Sequence, residues 1–116
     1  MALPEFKQIV DEARKEIQEI TVDDLKRMQK AGEDFALVDV REREESSRGA
    51  IPGAVAIPRG ILELNIDQVT SDKNKKIICY CGGGSRSALA AQSLKKMGFR
   101  QALSLIGGYR AWSEHP

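Results

Sequence analysis

Apolar residues recur along this chain in short bursts whose internal spacing changes from one burst to the next. Phe6, Ile9, Val10, Ala13 and Ile17 fall at i, i+3, i+4, i+7 and i+11, which puts one apolar stripe on a helix from Glu5 to Ile17. The stripe is expected to lie on the rest of the domain. Thr21, followed by Val22, Asp23 and Asp24, offers an N-cap hydroxyl and a first turn with two acids, and so predicts a second helix over Val22 to Lys30. Between the two, Gln18 to Ile20 leaves room only for a very short strand.

Two later bursts, Phe35 to Val40 (FALVDV) and Lys76 to Tyr80 (KIICY), are apolar without strict alternation and rich in β-branched residues. Strands covered on both faces read this way, so these are predicted as central parallel strands. Ala54 to Ile57, after the turn Ile51, Pro52, Gly53, and Ala102 to Leu105, before Gly107 and Gly108, bring the sheet to about five strands. Ala90, Ala91, Leu94 and Met97 keep helical spacing from Ser87 onward. Lys95 and Lys96 sit in the last turn, where the helix dipole favours cations, and Gly98 suits the left-handed C′ position. Strands alternating with helices define an α/β protein, a mainly parallel sheet flanked by helices on both faces.

Composition narrows the picture. The 116 residues, 41% of them hydrophobic, are enough for one core. With 18 Lys and Arg against 17 Asp and Glu, the net charge is +1, so no global field draws nucleic acid or an anionic membrane. Any anion site must be local. No apolar run reaches the roughly 18 residues of a membrane span, and the charged N-terminal stretch does not read as a signal peptide, so a cytoplasmic location is expected. Cys79 and Cys81 lie two apart in one apolar run. They are expected on opposite faces, which argues against a disulfide between them.

The segment richest in chemistry is Cys81, Gly82, Gly83, Gly84, Ser85, Arg86, between a predicted strand and a predicted helix. Ligands of open parallel sheets bind at the carboxyl ends of the strands. Three successive glycines carry no Cβ, which lets backbone N–H groups turn inward into a concave ring, and the following helix N-terminus aims partial positive charge at the same point. A cysteine at the mouth of that ring has its thiolate favoured by the amides, the dipole and Arg86 if its guanidinium folds back. Cys81 is therefore a candidate nucleophile, with packing of a glycine-rich turn as the competing reading. The run lacks the Lys-Ser/Thr of a phosphate loop and the spacing of a dinucleotide site.

Four ordered segments resemble the rhodanese (single-domain sulfurtransferase) family from about Ile20 to Trp112: Val38 to Glu42, Ile51 to Ala54, Cys81 to Arg86, and Leu105 to Gly108 with Ala111 and Trp112. The resemblance implies a rhodanese-like α/β fold with a five-stranded sheet. It also implies a cysteine that carries a persulfide between a sulfane donor such as thiosulfate and a thiophilic acceptor. Residues 1–19 would form an N-terminal helix packed on a single domain of residues 20–116. Carried over by position, Cys81 is the catalytic sulfur carrier. Gly82, Gly83, Gly84, Ser85 and Arg86 are its substrate-binding cradle, and Asp39 and Arg41 are supporting residues that read equally well as a structural ion pair. Ala50 stands where the family often has His.

The expected partners are a small-molecule sulfur donor and a cyanide, glutathione or protein-thiol acceptor such as thioredoxin. No metal, organic cofactor, nucleic acid or membrane is expected, and the chain would be a monomer or weak dimer. The only histidine, His115, is next to the C-terminus, so the attacking thiolate must already be ionised. Two rivals stand beside this reading: a binding or regulatory module without turnover, and a cysteine phosphatase or arsenate reductase. The phosphatase signature resembles Cys, five residues, Arg, whereas four residues separate Cys81 from Arg86. Of the arginines that could line an anionic donor's approach, Arg43, Arg48, Arg59 and Arg110, the one of most interest is Arg59, at the end of a predicted strand. Tyr109 and Trp112 are expected to pack at the sheet edge, and Cys79 to be buried rather than to act as a resolving thiol.

Overall fold

The computed structural model describes residues 2–115. Five parallel strands, β1 (Gln18–Ile20), β2 (Ala36–Asp39), β3 (Val55–Ala56), β4 (Ile77–Tyr80) and β5 (Ala102–Leu105), form one sheet in the order β1-β5-β4-β2-β3. All four residues of β4 are buried, as befits a central strand covered on both sides. Six helices accompany the sheet: α1 (Pro4–Glu16), α2 (Val22–Lys30), α3 (Arg43–Ser47), α4 (Leu62–Asn65), α5 (Ser85–Lys96) and α6 (Gly108–Ser113).

The period of two along each strand divides the core. Val38, Ile77 and Cys79 face Leu62, Ile66, Ala90, Ala91 and Leu94 from α4, the 3₁₀ turn after it and α5. Leu37, Ile78 and Leu103 face Val22 and Leu25 of α2, with Tyr109 and Trp112 of α6 closing that side. Each fully buried leucine contributes roughly 1.5–3 kcal/mol. Helices therefore cover both faces, as the alternating pattern predicts. Thr21 caps α2 in a reciprocal capping box with Asp24, and Gly98 takes a left-handed φ of +102° directly after α5.

Two expectations need correction. Cys79 and Cys81 belong to one core cluster on the same face, because residues two apart on an extended chain point the same way. Both are free thiols. The stripe of α1 is only half used: Val10 and Ala13 are buried against Ala88 of α5, whereas Ile9 is 55% and Phe6 37% exposed. One contact line on a single neighbouring helix covers a narrower arc than the periodicity provides. α5 begins at Ser85, immediately after the three glycines. The short turns between Arg59 and Gln68 were not foreseen, although Leu62 and Ile66, four apart, carry a helical signal.

α1 packs alongside α5. Its last residue, Glu16, accepts hydrogen bonds from Gln92 and Lys95 near the end of α5. Arg14 reaches past the first turn of α5, with Nη2 3.7 Å from where a Cβ on Gly84 would stand.

Candidate active site

Cys81 is the first residue beyond β4, at the carboxyl end of the central strand. Its Sγ, on a residue 1% exposed, receives the Gly84 amide at 3.1 Å and the Ser87 amide at 3.4 Å, with Ser87 Oγ 3.6 Å away. The turn that brings these groups onto the sulfur depends on Gly84, whose φ of +106° is left-handed. The first amides of α5, which have no partner within the helix, are thereby aimed at Cys81.

A second helix fixes the other side of the loop. At the N-terminus of α6, Tyr109 N–H donates to the Cys81 carbonyl at 2.7 Å and Arg110 N–H donates to the Gly82 carbonyl at 3.1 Å. Carbonyls held this way leave the loop amides free to turn toward the sulfur. The approach is close enough that a Cβ on Gly108 would lie 2.3 Å from the Cys81 carbonyl oxygen. The paired glycines Gly107 and Gly108 are thus part of the loop's support.

Burial pushes the Cys81 thiol up, but the hydrogen bonds from the Ser87 hydroxyl and from the Ser87, Gly84 and Gly83 amides outweigh it. The thiol ends below its ordinary value. Cys79, two residues earlier on the same face, has burial without such donors and is pushed up to about 12. Of two neighbouring cysteines, the surroundings of one favour its thiolate and those of the other disfavour it.

Arg86 does not fold onto the sulfur as its main contact. Its guanidinium makes a two-pronged pair with Glu45 of α3, at 2.7 and 3.0 Å, and that pairing holds the Glu45 carboxyl down to about 2. The negative sulfur is therefore held chiefly by neutral donors. Ser85 is half-buried at the start of α5, and Gly83 is exposed at the tip of the loop.

Asp39 and Arg41 sit at the end of β2 in a cluster of their own. Arg41 Nε and Nη2 meet the two Asp39 oxygens at 3.0 and 2.8 Å, and Nη2 also donates to the Gly49 carbonyl at 2.7 Å. Ser46 and Tyr80 hydroxyls, each at 2.9 Å, complete the carboxylate, while the guanidinium lies 4.4 Å from the centre of the Tyr109 ring. The pair is buried and every partner is supplied from within. Arg59 likewise is occupied, by Glu63 at 2.9 Å, rather than directed at an incoming donor. Among the described residues no group of His, Cys, Asp and Glu is arranged to hold a metal ion.

Sequence reasoning passed over Glu45, Ser87 as a sulfur contact, and Ser104, whose hydroxyl is 2.8 Å from that of Ser87. Ser87 could have been found, because the first turn of a helix that follows a nucleophile faces it. Glu45 and Ser104 lie far from the loop in the chain and leave no local signal.

The fold and this loop define a class, and comparison with known proteins names it. A model of the rhodanese-like domain matches residues 21–115. The chain belongs to the rhodanese-like family. Over 97 residues it is 35% identical to the "Putative sulfur carrier protein YrkF" of Bacillus subtilis; the match covers 84% of this chain, which spans about half, 51%, of that relative's length. A protein of Allochromatium vinosum named sulfurtransferase is 34% identical over 83 residues, with 72% of this chain and 76% of that one covered. Among solved structures, RPA3614 of Rhodopseudomonas palustris, described as of unknown function and a possible tyrosine phosphatase, superimposes with a TM-score of 0.88. That pair is 35% identical, with 98% of this chain and 92% of the other covered.

Proposed function

We propose that this chain is a sulfurtransferase that moves sulfane sulfur through a Cys81 persulfide, with thiosulfate as donor and cyanide, glutathione or a protein thiol as acceptor. In the first half-reaction the Cys81 thiolate attacks the outer sulfur of thiosulfate. A new S–S bond forms, the old one breaks, and its electron pair leaves with sulfite. In the second, a lone pair of the acceptor attacks the terminal sulfur of the persulfide, and the electrons of the broken bond return to Cys81 Sγ. No proton need be removed by a base if the thiolate is already formed. Asp39 and Arg41 act in this reading as supports of the β2 end, not on the sulfur.

The observation that carries the proposal is the convergence of the Gly84 and Ser87 N–H groups on a nearly enclosed sulfur. The names of relatives at 34–35% identity agree with it. A phosphatase reading fits less well: the cation such a loop would offer a phosphate, Arg86, is occupied by Glu45, and its spacing from the cysteine is one residue short of the phosphatase pattern. Steady-state kinetics with thiosulfate and cyanide test the proposal. Parallel lines in double-reciprocal plots, lost altogether in Cys81→Ser, are expected. Turnover of a phosphomonoester with none of thiosulfate would favour the rival.

A further inference from the structure

The polar contacts of Cys81 do not end at Ser87. Ser87 and Ser104 are both 0% exposed, and their hydroxyls lie 2.8 Å apart. Ser104 stands on β5 in register with Cys79 of β4, so a residue of the neighbouring strand reaches under the first turn of α5. Among the described residues, the Ser104 hydroxyl has no hydrogen-bond partner other than Ser87. The two hydroxyls and the sulfur thus form a closed line, Ser104 to Ser87 to Cys81.

The direction of that line depends on the sulfur. When Cys81 is an anion, Ser104 O–H donates to Ser87 Oγ and Ser87 O–H donates to Sγ, so both hydroxyl protons are used and the line ends on a charge. When Cys81 carries a proton, S–H donates to Ser87 Oγ, the line reverses, and the Ser104 proton points at no acceptor. Hydrogen bonds in series polarise one another, and those that end on a charge are the stronger. Ser104 therefore favours the arrangement in which Ser87 points its proton at sulfur.

We propose that Ser104 is a positioning residue, which acts through Ser87 to hold a hydroxyl proton on Cys81 Sγ whenever that sulfur bears negative charge. The inference rests on the sulfur-transfer reading for its consequence. In the persulfide, Sγ is a neutral bridging atom; as the acceptor attacks the outer sulfur, the S–S bond breaks and its electron pair returns to Sγ. The hydroxyl line tightens as that charge develops, so it assists the second half-reaction more than the first. Other groups that titrate or carry charge around this sulfur are Cys79 behind it on β4, Arg86 with its partner Glu45, and Arg14 from α1 beside Gly84. Ser104 is flanked in register by Cys79 of β4 and by Glu19 of β1, which pairs with Arg14, and among the described residues its hydroxyl hydrogen-bonds to none of these groups.

The test is a double-mutant cycle read by the pH dependence of Cys81 alkylation with iodoacetamide, in the wild-type chain, Ser87→Ala, Ser104→Ala and the double variant. Ser104→Ala is expected to raise the apparent alkylation pKa of Cys81 by about half a unit, a threefold change in equilibrium. In the Ser87→Ala background the same substitution should change nothing. Single-turnover transfer from preloaded persulfide to cyanide should slow about threefold in Ser104→Ala, with the loading step changed less. Equal shifts in both backgrounds, or no shift in either, would overturn the inference. Alkylation needs no sulfur donor, so a protein that shows the cycle but never loads sulfur would refute the proposed function and leave the positioning role standing.

Discussion

Two polar clusters stand at the carboxyl ends of adjacent strands, and they differ in what they lack. Around Asp39, the negative charge has its cation, Arg41, and its remaining lone pairs are filled by Ser46 and Tyr80. Around Cys81, backbone and hydroxyl donors converge on one sulfur with no ion pair as its principal partner. The first cluster is complete as folded and serves stability. The second, in the proposed function, stabilises an anion that forms and disappears as sulfur is passed on. Charge-completeness separates support from chemistry here better than burial does, since Asp39 and Cys81 are equally hidden.

Substitutions should pull these roles apart. Cys81→Ser is expected to reduce sulfur transfer to background while stability stays within about 1 kcal/mol, because only one buried atom changes and its donors keep an acceptor. Urea unfolding beside an activity assay checks this. A large loss of stability would mean that the sulfur is part of the scaffold. Asp39→Ala should do the reverse, costing about 3–5 kcal/mol by leaving Arg41 buried without its counter-charge. If it unfolds at the wild-type urea midpoint, the structural role is refuted.

Gly108→Ala should affect both properties. A Cβ at 2.3 Å from the Cys81 carbonyl must push the loop away, costing about 1–3 kcal/mol and slowing Cys81 alkylation at neutral pH. An unchanged alkylation rate would show that α6 does not shape the sulfur's surroundings.

The smallest effect is expected from Glu45→Gln. Its pair with Arg86 is about one-third exposed on each side, so the stability change should be under about 1 kcal/mol. The carboxyl's ordinary value is 4.5 and the folded value about 2, so what the pair contributes is present above about pH 4.5 and is lost as pH falls toward 2. Glu45→Gln should flatten the acid side of the stability profile in that window. Freeing Arg86 should also lower the KM for dianionic thiosulfate. A KM that rises instead would mean that the pair organises the donor site.

Much of this was legible in the chain. FALVDV and KIICY marked the central strands because strands covered on both faces need no polar alternation, and Thr21 and Gly98 marked helix ends by local chemistry. The loop was legible because glycines, a cysteine and a helix start are adjacent in sequence. What escaped was long-range. The pairing of Arg86 with Glu45 spans 41 residues and decides where a guanidinium goes whose fold-back onto sulfur the sequence left conditional. The hydroxyl line depends on Ser104, a small polar residue in a buried strand that reads locally as filler. The face shared by Cys79 and Cys81 was misread through an error of period, not for want of signal.

The most direct test is intact mass and peptide mapping of the reduced protein after brief exposure to thiosulfate. The account predicts a gain of one sulfur atom confined to the peptide bearing Cys81, absent in Cys81→Ser and removed on adding cyanide. A protein that gains no sulfur, or gains it on Cys79, would contradict it.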